Sequence, residues 1–144
     1  MDLHPLVIHY PIAFLTTYTV FELLRFKKLL DLPYWFYVKG VLVILGEVSA
    51  LMTLLTAMVS INLAGESRLV FMYKLFIFVT AIIFGVISSG YLKWPKLLQP
   101  AVVIPLSIIG LFFIVVSGGL FGATVYGIHF DPFLGPIFKL LNVY

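Results

Sequence analysis

The chain has 144 residues, of which 62% are apolar and 10% charged, against roughly 45–50% and about 25% in an ordinary soluble domain. Its mean hydropathy is +1.16, and its apolar runs approach the ~20 residues that cross a ~30 Å hydrocarbon layer. This composition excludes a soluble globular protein and leaves no length for a separate catalytic domain. The formal charge of +3 comes from basic residues scattered around the apolar runs, which reads as a topology signal and not as a nucleic-acid footprint. Cysteine is absent, which excludes disulfides, thiolate metal sites, iron–sulfur clusters and covalently attached haem.

The expected fold is all-α, a single membrane domain over 1–144 folded as an integral four-helix bundle. The first span covers about Pro5 to Leu24 and is followed by Arg25, Lys27 and Lys28. Positive charge that follows the apolar stretch, with no small-residue cleavage site behind it, argues against a cleaved signal peptide. The second span opens at the aromatic cluster Tyr34-Trp35-Phe36-Tyr37, suited to a membrane interface, and runs to about Leu63. The third covers about Leu69 to Leu92 and stops at Lys93-Trp94-Pro95-Lys96, where proline discourages further helix. The fourth runs from about Ala101 to Tyr126. Residues 127–144 contain Gly127, Pro132, Gly135 and Pro136 and read as a short, broken, interfacial tail.

Six basic residues fall in the first and third connections (Arg25, Lys27, Lys28, Lys39, Lys93 and Lys96). Three fall on the opposite side (Arg68, Lys139 and the borderline Lys74). The positive-inside rule then expects both termini outside a cell (cytoplasmic) membrane.

In lipid, small residues mark helix contacts, because burying apolar surface between helices gains little there. Gly118 and Gly122 form a G-x-x-x-G pair that Gly119 and Ala123 repeat, and Gly46, Ser49, Thr53, Thr56 and Ser60 recur at steps of three and four. Both stripes are expected to face other helices, with Gly85 and Ser89 as a weaker third-span counterpart.

Few ionisable groups lie inside the spans, and each is costly there. Glu47, at mid-depth in the second span, is either neutral or paired within the bundle, or else a proton relay or ligand-orienting group. Glu22 and Arg25 are three residues apart, a spacing expected to give an ion pair on a helix. Lys74 is expected to extend toward water, Glu66 or Asp131. His4, His9 and His129 all fall on the predicted outer side. Pro11, beside His9, removes the amide that would bond to Val7, so the freed carbonyl needs another partner. Neutral imidazole at His9 can ligate haem iron, bind a quinone oxygen or hydrogen-bond a neighbouring helix. No H-E-x-x-H motif, phosphate-binding glycine loop, dinucleotide fingerprint or nucleophile–base pair is present.

The run His4-Pro5-Leu6-Val7-Ile8-His9-Tyr10-Pro11-Ile12-Ala13 resembles the opening H-P-x-x-x-H-[FY]-P-I-[AG] of a family of small four-helix prokaryotic membrane proteins. That family is catalogued as a domain of unknown function and sometimes occurs fused to haem-containing or respiratory modules. The glycine-rich fourth span, with Val125-Tyr126 and then His129, is similar to the same family. The resemblance implies a four-helix bundle and a b-type haem, with His9 as the leading ligand and His4 and His129 as weaker ones. Members often carry a histidine early in the third helix, where this chain reads Phe71-Met72-Tyr73-Lys74. The second ligand is therefore open between His129, Met72, a five-coordinate iron and no haem. Arg68 and Lys74 would neutralise haem propionates, and Tyr73 is a further candidate contact.

The leading expectation is an electron-transfer protein that holds haem b or a quinone near the outer face. The alternative is a cofactor-free accessory subunit of a larger respiratory or redox complex. A homo-oligomer fits either reading, lipid is the common partner, and nucleic acid is not expected. A proton or small-solute carrier using Glu47 ranks third.

Overall fold

The structure is a computed structural model that describes residues 4–61, 67–126 and 133–142; the side chains of 4–6, 60 and 61 lie outside the described part. It is built from helices: α1 (His4–Leu23), α2 (Lys27–Leu30), α3 (Trp35–Ile61), α4 (Arg68–Leu92), a 3-10 helix (Pro95–Leu98), α5 (Pro100–Tyr126) and α6 (Gly135–Leu140). No strand occurs among the described residues. Three of these helices, Trp35–Val59, Arg68–Leu92 and Pro100–Tyr126, are long and apolar enough to cross a membrane.

The helix ends follow local chemistry. Ser67 caps α4 by accepting a hydrogen bond from the Val70 amide, which satisfies one orphan donor of the first turn. Pro95 and Pro136 stand at the starts of the 3-10 helix and α6, where a missing amide costs nothing.

The four long helices close a ring in which α1 packs on α3, α3 on α4, α4 on α5, and α5 back on α1. Neighbours run antiparallel, as the short connections dictate. An added Cβ at Gly46 in α3 would lie 2.7 Å from Leu15 Cγ in α1, and one at Gly110 in α5 would lie 2.6 Å from Phe84 Cε2 in α4. Gly118 faces Ile12 of α1, and Gly119 faces Leu134 beyond α5. Gly122 is buried. Close approach of backbones is what small residues permit in a bundle without a hydrophobic drive between its helices.

Burial runs opposite to a soluble protein's. Val41, Leu55, Val59, Phe78, Ile82, Phe112 and Val115 are exposed, while Thr19, Thr53, Thr80, Ser88, Ser107 and Ser117 are buried. The buried hydroxyls mostly return to their own helix: Thr19 donates to Leu15 O at 2.9 Å, Thr80 to Phe76 O at 2.9 Å and Ser107 to Val103 O at 2.7 Å. An apolar exterior over a hydroxyl-bearing interior is the arrangement lipid selects.

Ser88 and Thr53 bond across to neighbouring helices. Ser88 of α4 donates to Val43 O of α3 at 3.4 Å, and Thr53 of α3 donates to Val7 O of α1 at 3.3 Å. Val7 is the carbonyl that Pro11 leaves without an amide. The single Thr53 hydroxyl hydrogen is shared between Val7 O and the closer Ser49 O at 2.9 Å, so Thr53 supplies in part the partner that the proline removed. Ser49 in turn bonds Gly46 O at 2.8 Å.

The C-terminal segment, expected as a broken interfacial tail, turns two side chains into the bundle. Leu134 and Phe138 are buried, and they join Ile8, Ala57, Tyr73, Phe76, Val116, Leu120 and Ala123 in one core cluster. Leu134 packs against Gly119, and α6 carries Phe138 into the same cluster.

Thr53→Val should lower the thermal midpoint in detergent, consistent with about 1–3 kcal/mol for an unpaired buried carbonyl. In a Pro11→Ala background, where an amide again reaches Val7, the same substitution should cost clearly less. Equal costs in the two backgrounds would show that Thr53 does not serve the freed carbonyl.

Candidate functional site

Polar groups gather at two places in the described bundle. At one end, Glu22 near the end of α1 accepts a 2.7 Å hydrogen bond from the Lys39 ammonium in the second turn of α3. Glu22 is 3% exposed, and the side chain of Lys39 is 11% exposed. The Tyr91 hydroxyl of α4 reaches the same Glu22 oxygen, Oε2, at 3.5 Å. Gly40 gives Tyr91 its place, because an added Cβ there would lie 3.0 Å from the Tyr91 ring. One turn deeper, Tyr18 is fully buried, its ring 6.1 Å from that of Tyr91 and edge-on to it. The Tyr18 hydroxyl lies beside Tyr91 and Ser107 of α5 and makes no hydrogen bond of regular geometry. Residues from all four long helices meet here.

This geometry corrects the expected Glu22–Arg25 pair. α1 ends at Leu23, so the helical i,i+3 spacing does not extend to Arg25, which is exposed. Lys39, counted from sequence as a charge of the first connection, belongs to α3 and has its ammonium on Glu22. The sequence held a signal for it. The buried positions of α3 are 39, 40, 43, 46, 50, 53, 54 and 57, so the small-residue stripe continued back one heptad from Gly46 arrives at Lys39.

Glu47 lies between these ends, on the seam of α3 and α4. Its Oε1 would lie 3.3 Å from a Cβ added at Gly85, and its Oε2 is buried without a hydrogen-bond partner among the described residues. Gly85 thus leaves the room that the carboxyl occupies.

The histidine end is differently arranged. His9 is exposed on the outward side of α1, with Ala13, Thr17 and Val20, while Ile8, Pro11 and Leu15 turn inward. Tyr73 is 1% exposed, and its ring lies 5.7 Å from that of Phe121. Met72 packs against the same core cluster, on a helix diagonal to α1. Arg68 is exposed and Lys74 half-buried, both on α4. His4 opens α1 with its side chain outside the described residues, and His129 lies outside them altogether.

The structure therefore does not bring His9 together with Met72, Tyr73, Arg68 or Lys74. No cluster of three or more potential metal ligands occurs among the described residues. Among the described residues, His9 faces outward from α1, and the space between α1 and α4 at this end holds Ile8, Tyr73 and Leu120.

Removing one partner of a buried ion pair leaves an uncompensated charge, commonly at a cost of about 3–5 kcal/mol. Glu22→Gln and Lys39→Met should each destabilise the protein by about that amount in SDS-induced unfolding. The double variant Glu22→Leu/Lys39→Leu should recover much of the loss, and Arg25→Ala should stay within about 0.5 kcal/mol of the parent. A large effect of Arg25→Ala alone would contradict the pairing described here.

No family model, curated protein or solved structure matches this chain.

Proposed function

We propose that the protein is a multi-pass subunit of a membrane redox assembly, with all four long helices crossing a cytoplasmic membrane, both termini outside, and the outward face of α1 joined to a neighbouring chain. The observation that supports this reading is the direction of His9. His9 faces away from its own bundle and has no partner among the described residues. Lipid tails offer it none either, so its natural partner is a group supplied by another chain. Ala13 and Thr17 continue the same outward face one and two turns further on, and their small side chains allow a second helix to come close. Thr17 already donates to Ala13 O at 2.7 Å, so its hydroxyl needs nothing from lipid.

The redox character rests on the resemblance carried by the His4–Ala13 run. In the cofactor-free form, the chain is an accessory component docked on a larger complex. A second form is favoured by the same outward imidazole: His9 ligates a b-type haem, or contacts a quinone, lying against the outside of α1, with the other ligand supplied by the neighbour. A haem bound there would supply one-electron transfer. This chain's own contribution would be one neutral imidazole at the entrance of α1, on a helix fixed in place by Thr53 and Gly46 of α3.

A visible spectrum of protein purified in mild detergent with ample haem, oxidised and then reduced with dithionite, separates the two forms. A Soret band with sharp reduced α and β bands, lost in His9→Ala, identifies the electron carrier, and a colourless preparation identifies the accessory subunit. Because the chain has no cysteine, Ala13→Cys gives a single thiol on the proposed face, and Ile108→Cys gives one on the outward side of α5. Cross-linking to a neighbouring chain in membranes should be strong at position 13 and weak at 108. Equal cross-linking at the two positions, together with a colourless preparation, would overturn the proposal.

A further inference from the structure

The turn between α4 and α5 forms a concave site at the end of the bundle that holds the Glu22–Lys39 pair. It is lined by Lys93, Trp94, Pro95, Lys96 and Leu97 and has a volume of about 460 Å³. The turn is locked by its backbone. The amides of Lys93 and Trp94 both donate to Ser89 O, at 2.8 and 3.0 Å, and the Leu97 amide donates to Trp94 O at 2.9 Å. The 3-10 helix lies flush on α4 because Gly90 has no side chain: a Cβ there would lie 2.9 Å from Leu98 Cδ2 and 3.3 Å from Leu97 Cβ. The concavity therefore has a fixed apolar wall and a cationic rim. Lys93 and Lys96 are exposed, and neither makes an ion pair among the described residues. The Lys93 ammonium stands 5.7 Å from the centre of the Trp94 ring, which is itself 55% exposed.

Depth and charge together select the occupant. The site begins where α4, a membrane-crossing length of helix, ends, and an exposed tryptophan there suits the headgroup layer. Tyr34, just before α3, and Tyr37, in its first turn, are exposed; they lie at the same end and mark the same layer. Two unpaired ammonium groups above an apolar wall match a phosphate carried on an acyl chain: the phosphate meets the lysines and the chain lies along Leu97 and the indole. We propose that this turn is a binding site for the headgroup of an anionic phospholipid. The site is distinct from the outward face of α1, and its occupancy does not depend on the redox reading. Anionic lipid would then fasten the α4–α5 turn beside the buried ion pair.

The protein carries its own reporter. Of its two tryptophans, Trp94 is in the site, and Trp35 lies 4.9 Å from the Phe21 ring. In a Trp35→Phe background reconstituted into phosphatidylcholine vesicles, a small share of brominated phosphatidylglycerol should quench Trp94 more than the same share of brominated phosphatidylcholine. Each lysine removed should lower that preference about fivefold, the factor expected for a basic residue near an anionic surface, so Lys93→Gln/Lys96→Gln should abolish it. Lys27→Gln/Lys28→Gln, at the same end, should leave it intact, and millimolar inorganic phosphate should not relieve the quenching. Equal quenching by the two lipids would overturn the proposal. So would survival of the preference in Lys93→Gln/Lys96→Gln, an equal loss in Lys27→Gln/Lys28→Gln, or relief by free phosphate. A folded state confirmed by an unchanged thermal midpoint in the variants keeps each outcome interpretable.

Discussion

Everything in this bundle depends on one constraint: in hydrocarbon, a polar group must find its partner within the protein. The hydroxyls of Thr19, Thr80 and Ser107 meet it by bonding one turn back along their own helices. The carbonyl of Val7 cannot meet it within α1, because Pro11 offers no amide, and so it is served from α3 by Thr53. Glu22 and Lys39 meet it by neutralising one another. Each solution that crosses between helices also fixes a register, since a slide of one residue along α1 would move Val7 away from Thr53 and Glu22 away from Lys39 together.

The two ends of α1 therefore differ in kind. At its last turn, charge is turned inward and closed by α3 and α4. Near its first turns, the histidine is turned outward, and the interior is occupied by Ile8, Tyr73, Leu120 and Phe138. A helix held at Glu22 and at Val7 presents His9 from a fixed support.

How much was legible in the sequence follows from which signals lipid leaves intact. The limits of the long helices could be read because charge, proline and aromatic clusters interrupt the apolar runs: Arg25 to Lys28, Lys93 to Lys96, and Tyr34 to Tyr37. The need for a partner at Val7 could be read from Pro11 alone. The direction of His9 could not, because inward and outward faces of α1 are both apolar, and the asymmetry that orients a surface helix in water is absent. The partner of Glu22 was missed for a local reason. A spacing of three residues implies contact only where the helix continues, and α1 stops at Leu23. Lys39 was hidden by its neighbours, since a lysine just past an aromatic cluster looks like an interfacial charge until the stripe through Gly46 and Thr53 is followed back to it.

The burial of Phe138 and Leu134 bears on how the protein is made. Four long helices are in place in the chain well before these residues, yet the cluster around Tyr73 contains side chains from α1, α3, α4, α5 and the segment beyond. During synthesis at ~5–20 residues per second, that half of the interior stays incomplete until Phe138 has emerged. The cluster that Ile8 opens near the start of α1 is thus closed by Phe138, the last in chain order of its described buried residues.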